Sequence, residues 1–265
     1  MKPDYAPAFY ERARVYKDRT YFRQAITDYT EAIKLNPEYT NAYNGRGIAY
    51  LSLSKFDSAF ADFNKAIILD PEFCEPYINR GNAYQIKGYF EQAVADYNKA
   101  IDVDPKHFLA YYNRGKIYAE RGIVDADLGD YIQALTDFTS SIELNPNFSD
   151  HYFNRGKIYT LINQNTLALA DFSKAIIFKP FDADAYHERG AIYFLRGEDD
   201  YAIADLDQAI KFQPNNGQSY LLRGSAYMRK GDQTQAFSDC IMALRLTNDP
   251  EDKKFILSLI KEFKK

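Results

Sequence analysis

Along most of the chain, apolar and aromatic side chains recur at spacings of three, four and seven, as at Tyr43, Gly47 and Tyr50, with polar residues between them. That period belongs to an amphipathic α-helix with one apolar stripe. The stripes come in pairs, and each pair closes on a short polar step and a proline, at positions 37, 71, 105, 146, 180 and 214. Proline cannot continue a helical hydrogen-bond ladder and biases its predecessor away from helical angles, so each one ends a second helix. A two-helix hairpin of this size cannot bury its apolar face alone, and the pattern therefore predicts stacking of hairpins.

The proline spacings are 34, 34, 41, 34 and 34. A fixed period in this range is the mark of a repeat array. Seven units follow, 6–39, 40–73, 74–107, 108–148, 149–182, 183–216 and 217–250. The fourth column holds Phe9, Tyr43, Tyr77, Tyr111, Tyr152, Tyr186 and Tyr220, and the eleventh is tyrosine in every unit, from Tyr16 to Tyr227. The eighth holds Ala13 and then Gly47, Gly81, Gly115, Gly156, Gly190 and Gly224, small residues where two helices must approach closely. Ala25, Ala59, Ala93, Ala134, Ala168, Ala202 and Ala236 do the same for the second helix.

These columns resemble the tetratricopeptide repeat over residues 6–250. The resemblance implies an all-α, right-handed superhelical solenoid of antiparallel helix pairs. One departure is systematic. Where the family pattern has leucine before the glycine, this chain has Arg12, Arg46, Arg80, Arg114, Arg155, Arg189 and Arg223.

Sixteen residues after most of these arginines stands an aspartate: Asp28, Asp62, Asp96, Asp171, Asp205 and Asp239, with Asp137 as the displaced member of unit four. In an antiparallel hairpin both columns lie at one level. An arginine column could line an anion-binding ladder, but a bidentate guanidinium–carboxylate pair within each hairpin accounts for both columns at once.

Unit four carries seven extra residues between Tyr118 and Ala134. Seven residues are about two helical turns, so one added turn on each helix predicts a ridge that keeps Arg114 opposite Asp137. Asp125, Asp127 and Asp130 suggest a calcium loop only weakly, because the twelfth loop position is Thr136 instead of glutamate. Partner recognition suits the ridge better. Residues 251–265 place Phe255, Ile256, Leu259, Ile260 and Phe263 on one stripe, which predicts a capping helix and leaves room for a homo-oligomer through it. The other end has no comparable cap, which is consistent with a piece of something longer.

The 265 residues carry 33 Lys and Arg against 37 Asp and Glu, a formal net charge of -4. That balance argues against a general attraction to nucleic acid or anionic membrane. No secretory signal or membrane-length apolar run is evident, and the cytoplasm is the expected location. Cys74 and Cys240 read as core fillers, and His107, His151 and His187 lack zinc-binding spacing or a nearby cysteine in sequence, so neither metal nor cofactor is expected. Gly115-Lys116 and Gly156-Lys157 lack the rest of a phosphate loop. Enzymatic activity is not expected.

The family resemblance implies that the first helix of each unit lines a concave groove. Carried over column by column, it assigns a partner's peptide to Ile78, Asn79, Asn82, Tyr112, Asn113, Lys116, Phe153, Asn154, Lys157 and His187. Asn79, Asn113 and Asn154 share one column, and an asparagine amide can both donate to and accept from a peptide unit. This is similar to the asparagine ladder of the protein O-linked N-acetylglucosamine transferase superhelix. The alternative is that these amides satisfy local structure. The clamp for chaperone carboxy-terminal tails lacks its basic residues here. A protein-interaction scaffold that holds an extended or helical segment is the function these residues imply. A recruiting arm of a larger enzyme and a self-assembling module are the alternatives.

Overall fold

The computed structural model describes residues 5–125 and 127–262, and within them every regular element is an α-helix. The chain forms two compact units, one ending at Leu144 and the other starting at Asn145. The first contains α1 (Ala6–Asp18), α2 (Phe22–Leu35), α3 (Thr40–Ser52), α4 (Phe56–Leu69), α5 (Cys74–Ile86), α6 (Phe90–Val103), α7 (Phe108–Asp125) and α8 (Leu128–Leu144). The second contains α9 (Ser149–Leu161), α10 (Asn165–Phe178), α11 (Ala183–Leu195), α12 (Asp199–Phe212), α13 (Gly217–Arg229), α14 (Gln233–Leu246) and α15 (Pro250–Glu262). Consecutive odd and even helices pair as hairpins. Inside each unit every hairpin packs on the next, and successive first helices also touch, α3 on α5 and α5 on α7 in the first unit.

The core repeats with the sequence. The alanines at 25, 59, 93, 134, 168, 202 and 236 are fully buried. Beside them Tyr29, Phe63, Tyr97, Phe138, Phe172, Leu206 and Cys240 occupy one position per hairpin, at 0–1% exposure. The glycine column exists to admit these side chains. A Cβ on Gly47 would stand 2.6 Å from the Phe63 ring, and one on Gly81 2.7 Å from Tyr97.

Two local devices set the hairpin length. At the tight turn, Thr20, Ser54, Gly88, Asn163, Gly197 and Gly231 adopt positive φ of 55–80°. The next residue's N–H then bonds back to the carbonyl of the column-eleven tyrosine, as Tyr89 does to Tyr84 at 2.9 Å. At the far end, Asn36, Asp70 and Asp104 accept from the N–H two residues on, bending the chain around the proline between.

Unit four breaks the first device. Gly122 sits where the other hairpins turn, yet α7 runs on to Asp125, and α7 and α8 reach 18 and 17 residues against 13 and 14 elsewhere. The expected extra turn on each helix is present. At the chain's other end, α15 buries Ile256 and Ile260 against Cys240 and Ala243, with Leu259 beside them. Phe255 departs from the expected stripe: it is 54% exposed, because its neighbour Ile256 takes the inward position. Phe263 lies outside the described residues.

Candidate functional site

The arginine column is committed to the fold. In every hairpin the guanidinium grips its aspartate with two parallel bonds, for example Arg46 Nε to Asp62 Oδ2 and Nη2 to Oδ1, both 2.8 Å. The shifted pair keeps the geometry, with Arg114 to Asp137 at 2.9 and 2.7 Å. Within each unit a further nitrogen crosses to the preceding hairpin: Arg46 to Thr30, Arg80 to Asn64 and Arg114 to Asn98, then Arg189 to Ser173 and Arg223 to Asp207. Each of these acceptors lies sixteen residues behind its arginine, as the aspartate usually lies sixteen ahead. The tyrosines at minus three and plus four flank the guanidinium, with Tyr43 and Tyr50 rings 5.6 and 5.9 Å from Arg46. Burial pushes the carboxyls of Asp96 and Asp137 up, against the opposing pull of Arg80 and Arg114. The pairs therefore fix the level of one helix against the other more than they add net stability.

The ridge of unit four repeats this construction one turn further out. Arg121 forms a two-pronged pair with Asp130, which holds that carboxyl below its usual range, and Gly122 packs under Tyr131 as Gly115 does under Phe138. The signal was present in sequence as Arg-Gly at 114–115 and again at 121–122. Since Asp130 is taken by Arg121, the calcium reading loses one of its ligands, while the Asp125 side chain lies outside what is described. Beside the ridge a cavity of about 550 Å³ is lined by Phe90, Glu91, Glu120, Arg121, Ile123 and Val124. Val124 is 81% exposed.

The proposed peptide contacts divide between the two units. In the first, Ile78 is only 5% exposed and packs with Tyr77, Tyr97, Ala110 and Ile117, which corrects its assignment to a ligand. Asn79 donates to Asn44 at 2.9 Å, and Asn113 donates to Asn82 at 3.0 Å. Asn82 also accepts from the Tyr97 hydroxyl at 2.7 Å. These amides tie consecutive first helices together, so each reaches a ligand only with its remaining hydrogen-bonding capacity. Lys116 lies 5.7 Å from the Tyr112 ring, half-buried like it. In the second unit Asn154 donates to the Asp150 carbonyl of its own helix at 2.8 Å. Exposed Lys157 lies 5.8 Å from the Phe153 ring, and His187 Nδ1 pairs with the Ser219 hydroxyl at 2.9 Å. Burial pushes His187 down, and His151, fully buried at the start of α9, down to about 4.

One juxtaposition escapes the sequence pattern. Cys74, Glu75 and His107 bring a sulfur, an oxygen and a nitrogen within 4.8 Å of one another. Cys74 opens α5 and His107 immediately precedes α7, so a histidine without a cysteine near it in sequence has one beside it in space. Cys240, by contrast, fills the ring position of the last hairpin, and both cysteines are free thiols. No helix among the described residues is long and apolar enough to cross a membrane.

Comparison with known proteins agrees with this architecture. Models described as TPR repeat match residues 81–122 and 190–231, and models described as tetratricopeptide repeat match 10–72 and 138–170. A search of curated proteins finds no match. Among solved structures, pilF of Pseudomonas aeruginosa superposes with a TM-score of 0.71 at 20% identity, covering 83% of this chain and 97% of that one. YrrB, described as a TPR protein with an unusual peptide-binding site, gives 0.63 at 24% identity, covering 75% and 97%. A MamA structure gives 0.56 at 27% identity, covering 66% and 95%. The first two likenesses concern the fold alone.

Proposed function

Because the chain belongs to the tetratricopeptide repeat family, we propose that it is a protein-interaction scaffold that holds a segment of a partner against the faces of its first helices and acts by binding, not by catalysis. The observation that carries this reading is the polar, half-buried strip on α5 and α7, whose Asn79 bonds to buried Asn44 of α3. There Asn79, Asn82, Asn113, Tyr112 and Lys116 come from successive hairpins held together by Arg80 to Asn64 and Arg114 to Asn98 as well as by the amides. Such a strip offers a donor or acceptor at each repeat and one cationic ring platform, which suits an extended backbone with an acidic side chain. The second unit contributes Phe153, Asn154, Lys157 and His187 on its own first helices. The peptide-binding description of YrrB is consistent with this use of the fold. Affinity capture with the native chain and with a variant carrying Asn79→Ala, Asn113→Ala and Asn154→Ala tests it. Loss of the captured segment from the variant supports the reading, and equal capture removes it.

A second contact is favoured by the ridge. Its cavity is apolar at Phe90, Ile123 and Val124, and the exposed carboxylates of Glu91 and Glu120 also line it, while the Arg121 guanidinium in the same lining is engaged by Asp130. The occupant that fits is a partner helix with an apolar stripe flanked by lysine or arginine.

A further inference from the structure

The strongest unassigned cluster lies at the starts of α5 and α7. Cys74 is buried, and its thiol donates to Glu75 Oε2 at 3.3 Å. A ring nitrogen of His107 lies in the same place, and the Nδ1 of that ring is buried with no hydrogen-bond partner. A buried ring nitrogen in this state is costly unless a proton donor, a water or a cation meets its lone pair. Cys74 and His107 are the first and last residues of the third repeat, 33 residues apart, and the array's period, not local sequence, brings them together. Glu75 is exposed, so one side of the cluster is open to solvent.

We propose that Cys74, Glu75 and His107 form a binding site for a divalent transition-metal ion of the zinc type, with a fourth position open to solvent. Thiolate, imidazole and carboxylate together suit zinc or cobalt and not magnesium or calcium, which take oxygen ligands. Bonds of about 2.0–2.3 Å place the ligand atoms of a tetrahedral ion roughly 3–4 Å apart, so their mutual separation here closes with small side-chain rotations. Binding replaces the thiol proton, which leaves to solvent, and the Glu75 oxygen exchanges a hydrogen bond from sulfur for a bond to the ion. Asp104, close enough to act on Cys74, adds a second negative charge. An ion here would tie α5 to α7, the helices that carry Asn79, Asn82, Tyr112 and Asn113. The site stands independently of the peptide reading, which involves none of its three ligands.

Titration of the reduced full chain with cobalt(II) tests this, because a thiolate–cobalt bond gives a charge-transfer band and a tetrahedral ion gives intense visible bands. The expected result is saturation at one ion per chain and displacement by zinc. The thiolate band disappears in Cys74→Ser and persists in Cys240→Ser, and affinity falls at least about tenfold in His107→Ala. Helix content by circular dichroism confirms that each variant is folded, and Glu75→Gln, at an exposed position, serves should Cys74→Ser fail to fold. The absence of a thiolate band, its persistence in Cys74→Ser, or undiminished affinity in both His107→Ala and Glu75→Gln overturns the proposal.

Discussion

Arg114 and Asp137 stand 23 residues apart, yet they make the same two-pronged ion pair that the other hairpins make across 16. The pair keeps its place because α7 and α8 lengthen together beyond it, with Arg121 and Asp130 added as an outer rung. Asp137 is almost fully buried and Arg114 mostly so. Asp137→Ala therefore strands a guanidinium and is expected to cost roughly 3 kcal/mol, whereas replacing both partners by apolar residues costs less than the two single losses combined. Asp28→Ala is the contrast, since the Arg12 side chain is 42% exposed and recovers water; its cost is expected to be about 1 kcal/mol. Urea unfolding followed by circular dichroism checks the order of the two.

Glycines at 122 and 88 should fail for different reasons. A Cβ on Gly122 meets the Tyr131 ring at 2.7 Å, so Gly122→Ala is expected to lose about 1–3 kcal/mol despite better helix propensity. Gly88 has nothing within 4 Å but a φ of +76°, so Gly88→Ala loses about 1 kcal/mol through strain. Gly88→Asn, the residue that fills the equivalent turn at Asn163, should recover much of that loss. Thermal midpoints of the three variants decide it.

Burial at the start of α9 holds His151 neutral, with Asp150 opposing the shift and Arg155 adding to it. The unfolded imidazole takes a proton near its ordinary value of about 6.5, while the folded one resists until about 4. The stability from this group is present above pH 6.5 and is lost as pH falls from 6.5 to 4. His151→Gln should flatten that part of the pH dependence, as read by thermal unfolding at pH 7 and pH 4.5.

At the ridge, Val124→Glu places a third carboxylate against Glu91 and Glu120. A synthetic amphipathic leucine–lysine helix is expected to bind the native chain at least about tenfold more tightly than this variant, and a leucine–glutamate helix should bind neither. Fluorescence anisotropy titrations measure both.

The hairpins, the buried alanines and the seven column Arg-Asp pairs were legible in the sequence because each depends on residues within one repeat, whereas Asp130, read as a weak calcium candidate, pairs with Arg121. What crosses from one repeat to the next was not. Asn113 meets Asn82 and not the matching column of its neighbour, and the arginine's backward bond to Thr30 or Ser173 joins a column that varies in residue type. His107 meets Cys74 across nearly a full period, from the last residue of a repeat to its first. Ile78 looked available because its column faces a groove in the family, but here it is covered by Tyr77, Tyr97 and Ile117.

Peptide binding by the first-helix faces is open to direct measurement. A peptide selected on the native chain from a random display library, then titrated against variants, tests it most directly. Tyr112→Ala and the Asn79→Ala, Asn113→Ala pair are each expected to weaken binding at least about tenfold, while Ile68→Ala, at a 72% exposed position on the second helix α4, leaves it unchanged. Equal affinity for the native chain and both first-helix variants, or loss at Ile68→Ala alone, would contradict the account.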